Sequence, residues 1–304
     1  MSRCRSRREA LKTLALAAPV TFGAVPPGLA AAAGSPEQKV DLALVHGADI
    51  RAATRTAVAV LGGVRRFVSR GDVVFVKPSI GFPRTPAQGA NTHPEVVAAI
   101  VELCLEAGAK LVKVGDHTLD RADRCYQRSG IQAAAERAGA RVDFVGAEKF
   151  RRMNLKGQLV GEWEVYADLV EADTLINVPV AKQHSLSRMT GAMKNWFGGI
   201  GGARDRLHAQ IDTAIADLAQ FFRPTVTVLD ASRMIIRNGP QGGSLADVRQ
   251  TDIVAASTDQ VAIDALTASL LQLVPKDVGF IKMAHARGLG TMDLDRLQVV
   301  RREL

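Results

Sequence analysis

Short apolar runs alternating with helical patterns over residues 35–304 predict an α/β fold, a largely parallel β-sheet with helices on both faces. Two further observations support it. Several of the strand-like runs end abruptly on a polar residue, as they do at the carboxyl edge of a parallel sheet. The composition, 47% hydrophobic and 23% charged, is that of a globular chain with ample core. One large domain or two intimate lobes both fit that length.

The elements follow in order. Residues 40–45 read as a strand, and 50–61 as a helix stopped by Gly62 and Gly63. Residues 72–76 are a strand ending at Lys77-Pro78. Residues 94–107 are a helix with Pro94 at its first position and Gly108 just past its end, a matched start and stop. A strand at 110–115 ends at Asp116, a helix at 131–138 stops at Gly139, and a strand follows at 141–145. Residues 162–166 form an extra strand, and 174–177 a strand ending at Pro179. A helix at 207–222 leads into a strand at 225–229 that ends on Asp230. A strand at 253–256, a helix at 260–273 capped by Asp259, and a last strand at 297–300 complete the series.

Residues 1–34 read as a targeting segment: a basic start, an apolar stretch from Leu14 to Val25, then small residues from Ala30 to Gly34 suited to cleavage. Ser6-Arg7-Arg8-Glu9-Ala10-Leu11-Lys12 resembles the twin-arginine export signal, with Ala10 where that signal prefers Phe. Pro19, Gly23, Pro26 and Pro27 interrupt the apolar run, so no stable membrane span is expected after cleavage. The expected location is therefore outside the cytoplasm, with the twin-arginine export machinery as a partner. That segment holds half of the formal net charge of +8. The mildly basic remainder suits an anionic small molecule. With 5% aromatics and no dense basic block, nucleic acid is not an expected partner.

Cys104 and Cys125 are the cysteines outside the targeting segment, and spacing leaves a disulfide between them open. No cysteine-ligated iron–sulfur cluster is expected from so few ligands.

Chemistry concentrates in two runs, Lys182-Gln183-His184 and Thr190-Gly191-Ala192-Met193-Lys194-Asn195-Trp196-Phe197-Gly198-Gly199. Cations, an imidazole, an amide and bare backbone stand there among large apolar residues, and charge buried without a partner is costly. In an extended segment Lys182 and His184 point the same way. A short helix from Thr190 onward would carry its polar face into Gly198 and Gly199, where a ligand can approach the backbone. The loop lacks the ending of a Walker motif. A helix beginning near Leu207-His208 would favour an anion and give His208 a role. Arg204 and Arg206 read as a solvated loop. Lys77, Asp116, Asn177 and Asp230 should converge on the same sheet edge. His93, His117, His184, His208 and Asp116 could supply metal ligands but lack zinc-motif spacing, so the cofactor stays unknown and a metal stays possible.

Together with Val76-Lys77-Pro78, His93-Pro94-Glu95, Gly115-Asp116, Ser129-Gly130, Asn238-Gly239-Pro240 and the run from Asp259 to Ala265, these residues resemble the domain of unknown function 362 family over about residues 40 to 300. The resemblance implies no named activity. Many members carry an added ferredoxin-like segment whose cysteines this chain lacks, so their iron–sulfur label does not transfer. His117 stands where a small polar residue is more usual, which weakens a role for it.

The sequence therefore points to an exported enzyme acting on an anionic small molecule or organic cofactor. Lys77, Lys182, Lys194, Asn195, Gly198 and Gly199 would hold the anion. His184 or His208 would move the proton, oriented by Asp116 or Asp230, and Lys194 would serve as base or nucleophile. Two alternatives remain: a solute- or cofactor-binding protein outside the cytoplasm without catalysis, and a metalloprotein loaded before export.

Overall fold

The computed structural model describes residues 40–304. The export-signal reading falls outside them. Eight strands form one sheet: β1 (Leu42–His46), β2 (Val73–Pro78), β3 (Leu111–Val114), β4 (Arg141–Val142), β7 (Thr174–Val178), β10 (Val226–Ile235), β11 (Val248–Ser257) and β12 (Val299–Glu303). Their order is β12-β1-β11-β10-β7-β2-β3-β4. β11 is antiparallel to both its neighbours, and every other adjacent pair is parallel.

The alternation of side chains along each strand sends apolar residues to both faces. Val74, Val76, Val226, Val228, Val254 and Ala256 pack with α1 (Ile50–Val60), α2 (Pro94–Glu106) and α4 (Ile131–Arg137). Phe75 and Leu175 face the other way, onto α5 (Ala167–Glu171), α6 (Ile211–Phe221) and α8 (Gly279–Ala286). Leu229 and Ala255 on that second face meet α7 (Gln260–Leu270). The helices on both faces are thus in place. The described residues, 40–304, form one compact unit.

Several expectations need correction. The strand expected at 225–229 runs ten residues, because β10 continues past Asp230 to pair with all of β11. Asp230, Ser232 and Arg233 interrupt the apolar run there, although Ala231, Met234 and Ile235 beyond it are buried. The helix expected from Leu207 starts at Ile211; Arg204–Gln210 is a 3-10 turn, and Gln210 at φ −133°, ψ 55° separates the two. α3 (Ala122–Ser129) was not expected, since only Cys125, Tyr126 and Ser129 of it are buried. Residues 162–166 are a strand, β6 (Glu162–Tyr166), paired with β5 (Phe150–Asn154) in a separate ribbon. A third small ribbon pairs β8 (Lys182–His184) with β9 (Arg188–Thr190). Cys104 and Cys125 are both buried and free, so no disulfide joins them. No helix among the described residues is long and apolar enough to cross a membrane.

Candidate active site

The site lies at the carboxyl edge of the parallel strands. β2 and β7 place Lys77 beside Asn177 in register, and β3 ends two residues before Asp116. Lys77, only 1% exposed, has its Nζ 2.7 Å from Asp116 Oδ1, 2.8 Å from Asn195 Oδ1 and 3.0 Å from the Pro78 carbonyl. Three acceptors around one nitrogen are the surroundings of an ammonium. Burial pulls its pKa down and the Asp116 charge opposes that. Asp116 Oδ2 accepts from the Ile80 N–H at 2.6 Å. Asn195 is satisfied throughout, accepting also from Ser79 Oγ and donating to Asn177 Oδ1, both at 2.8 Å. Lys77, Asp116, Asn177 and Asn195 are therefore a closed network that forms the floor of the site.

Above the floor opens a pocket of about 600 Å³, counting its mouth, which is small-molecule size. Asp116, His117, Lys182, His184, Lys194, Asn195, Gly198, Arg204 and His208 line it, with Phe82, Leu119, Phe197 and Pro240 as apolar wall. Of the ten residues singled out in the sequence, Lys77, Gly199 and Asp230 do not reach this lining.

Lys182 and His184 share one face of β8, as alternation requires, while Gln183 turns away to accept from the Gly239 N–H at 2.6 Å. Lys182 donates to the Ala90 carbonyl and lies 5.0 Å over the Phe82 ring. Lys194 sits at the start of a 3-10 turn, Lys194–Gly199, rather than in the expected α-helix. Asp264 of α7 holds the chain before that turn, accepting from the Ala192 and Met193 N–H groups at 2.5 and 2.9 Å. Trp196 anchors the turn by donating to Gln260 Oε1 at 2.8 Å. The Lys194 ammonium has no carboxylate or carbonyl partner among the described residues; it lies 3.4 Å over the Phe197 ring. Burial first, then neighbouring cations, lower both Lys182 and Lys194 to about 7.

The histidines sort themselves by their hydrogen bonds. His184 Nδ1 accepts from the N–H groups of Leu186 and Ser187 at 3.1 and 3.3 Å. Its proton is therefore on Nε2, and a second proton would displace both donors. Burial and the nearby lysines hold its pKa down to about 3. His184 is a neutral donor, so of the acid–base roles expected of it the ring is arranged for donating and not for accepting a proton. His117 Nδ1 donates to the Ile200 carbonyl at 2.8 Å, leaving Nε2 basic and without a partner among the described residues. His208 is arranged alike, with Nδ1 donating to the Asp205 carbonyl at 3.0 Å. Burial lowers the pKa of both. His208 lies in the 3-10 turn, so the expected helix start does not support it.

Neither acid orients a histidine. Asp116 pairs with Lys77. Asp230, within β10, accepts from the His93 N–H at 2.7 Å and from Ser232 Oγ at 2.7 Å, a structural joint away from the pocket. The glycines also differ from expectation. A Cβ at Gly198 would collide with Asp116 Oδ1 and lie 2.8 Å from Lys77 Nζ, so the bare backbone admits the ion pair. A Cβ at Gly199 would meet Leu169 at 2.7 Å and Phe222 at 3.1 Å, which is close packing. Arg204 is not a solvated loop residue. Its guanidinium donates to the His117 and Phe197 carbonyls at 2.8 and 2.9 Å and to Thr118, bridging the pocket wall. Arg206 is exposed, as expected. Arg204, read as solvated, and His117, whose role was discounted, therefore both belong to the pocket; the signals for them were the glycine run before Arg204 and the place of His117 next to Asp116. Among the described residues no group of three His, Cys, Asp or Glu side chains stands close enough to hold a metal ion, so the residues present do not fit a protein-ligated metal.

The family model described as Domain of unknown function (DUF362) matches residues 74–269. The protein named "Thylakoid-associated protein sll1697", from Synechocystis sp., is 28% identical over 247 residues, covering 78% of this chain and 75% of that protein. Among solved structures, the lactate racemase apoprotein from Thermoanaerobacterium thermosaccharolyticum is similar in fold at 11% identity and TM-score 0.44, covering 78% of this chain. A protein from Thermotoga maritima is similar at 14% identity and TM-score 0.41, covering 74% of this chain. The chain spans 58% of the length of each of those two structures.

Proposed function

This chain belongs to the family of the domain of unknown function (DUF362), and within it we propose an enzyme that acts on an anionic small molecule or organic cofactor in the pocket above Lys77 and Asp116. The observation that carries this reading is Lys194, a buried cation with no anionic partner, beside Lys182 and Arg204. The one carboxylate in the lining, Asp116, is already paired with Lys77. An anion entering the pocket supplies the missing partner, and its charge-assisted hydrogen bonds gain strength from burial. The basic Nε2 atoms of His117 and His208 supply proton acceptors, and the His184 Nε2–H a fixed donor. This set favours catalysis over carriage, since a carrier needs only the cations.

Thermal unfolding of the full chain with inorganic phosphate, acetate or succinate, against chloride at equal ionic strength, tests the anion site. At least one should raise the Tm of the wild type, and Lys194→Met should abolish that rise. A flat response to all three overturns the reading.

Residues 1–34 we read as the signal that takes the protein out of the cytoplasm by the twin-arginine route. Fused to a reporter, they should export it, and the pair Arg7→Lys with Arg8→Lys should leave it in the cytoplasm. Export that survives the pair removes the twin-arginine assignment.

A further inference from the structure

The anion reading leaves one atom unused. An ammonium whose only duty is to bind an anion could equally stand at the surface, yet Lys194 is held within the lining by a turn that Asp264 and Gln260 fix from α7. Its partner on the protein side is an aromatic face, which neither accepts its protons strongly nor keeps it charged as a carboxylate would. The other pocket lysine, Lys182, donates to a backbone carbonyl, and Lys77 is enclosed by three acceptors. Lys194 is the lysine of the site whose nitrogen lone pair is free to react once its proton leaves.

We propose that Lys194 is an amine nucleophile and that the ligand of this pocket is an anion bearing an aldehyde or ketone, of the 2-oxo acid class, held as an imine on Lys194 Nζ. This rests on the anion reading above and deepens it. Lys182 and Arg204 face the carboxylate of such a molecule, and Lys194 faces its carbonyl carbon. The neutral amine attacks that carbon, forming the C–N bond while the carbonyl π pair moves to oxygen. A histidine Nε2, that of His117 or His208, takes a proton from the nitrogen and returns it to the carbinol oxygen. Water departs, and the nitrogen lone pair completes the C=N bond. The oxygen leaves as one water with two protons taken from the amine, so no oxidant or reductant is required. The His184 Nε2–H is a fixed donor for the oxygen as its charge develops.

Burial prepares the amine for this step. With its pKa lowered to about 7, roughly half of Lys194 is neutral at pH 7, against about one in a thousand or fewer for a free lysine. The full chain is incubated at pH 7 with glyoxylate or pyruvate and sodium cyanoborohydride, which reduces an imine to a stable secondary amine. Intact-mass and peptide analysis then locate the adduct. We expect Lys194 to be labelled at least about tenfold faster than lysines outside the pocket. Acetate in excess should slow that labelling. Lys194→Arg should abolish the pocket adduct while keeping the acetate or phosphate rise in Tm, because the charge remains. Labelling spread evenly over the lysines, in a protein that still shows the anion response, overturns the nucleophile and leaves the anion site standing. Loss of the anion response in the wild type overturns both.

Discussion

Lys194 shows what a single residue discloses and what it conceals. A lysine between Met193 and Asn195, followed by Trp196 and Phe197, is conspicuous in the sequence because charge rarely sits among so many apolar side chains. What the chain order cannot disclose is whether an acid waits across the fold. Asp116 does so for Lys77, and none among the described residues does for Lys194. The histidine roles were hidden for the same reason, since a tautomer depends on which backbone group the ring meets. His184 meets two N–H donors, and His117 and His208 each meet a carbonyl. The ion pair under the pocket invites a direct test. Asp116→Asn leaves the Lys77 ammonium buried without its counter-charge, and should cost about 3–5 kcal/mol in chemical denaturation. Asp116→Asn paired with Lys77→Met should recover a substantial part of that loss. If the single substitution is neutral, the two groups are not coupled as described.

At the scale of elements, the helix from Pro94 and the parallel strands were legible because period and punctuation agree there. The elements that build the pocket wall were not. β8 and β9 are three residues each, too short for alternation to register. The turn Lys194–Gly199 has an apolar spacing that suits an α-helix, yet it is wound tighter. Its path is set by Asp264, fully buried, seventy positions later in the chain. Removing that carboxylate strands two buried N–H donors. Asp264→Ala should therefore cost about 2–4 kcal/mol, from two lost acceptors and a small cavity. Because the turn carries Lys194, the same variant should lose the anion-induced rise in Tm. Asp264→Asn, which keeps one accepting oxygen, should fall between. A variant that loses stability but binds the anion as before would separate the turn from the site.

Across the whole molecule, the sheet delivers floor residues from β2, β7 and the end of β3, while the β8–β9 ribbon, the turn that α7 holds and the loops after β2 and β3 deliver the wall, and the excess of cations that results must be tolerated before any ligand arrives. The fold tolerates it by letting Lys182 and Lys194 shed protons. Both titrate near about 7 in the folded chain, against about 10.4 when unfolded. Between those values the unfolded chain holds more protons, so stability rises with pH. The rise is cleanest between about pH 7 and 8.5, because the thiols of the unfolded chain ionise above that while burial keeps Cys104 and Cys125 protonated in the fold, with opposite sign. Asp264, pushed up to about 7, completes most of its own change at the foot of this window. With each lysine contributing up to about 1.4 kcal/mol per pH unit, the unliganded protein should gain on the order of 2 kcal/mol from pH 7 to 8.5. Anion binding should move the opposite way, weakening across the same interval as the cations that hold the ligand are lost. Denaturation curves at the two pH values, with and without saturating anion, measure both slopes. The gain should largely vanish in the double variant Lys182→Met with Lys194→Met, which has no proton to shed at either position. An unliganded protein equally stable at the two pH values would mean that both lysines remain charged throughout, held by groups other than those found in this pocket.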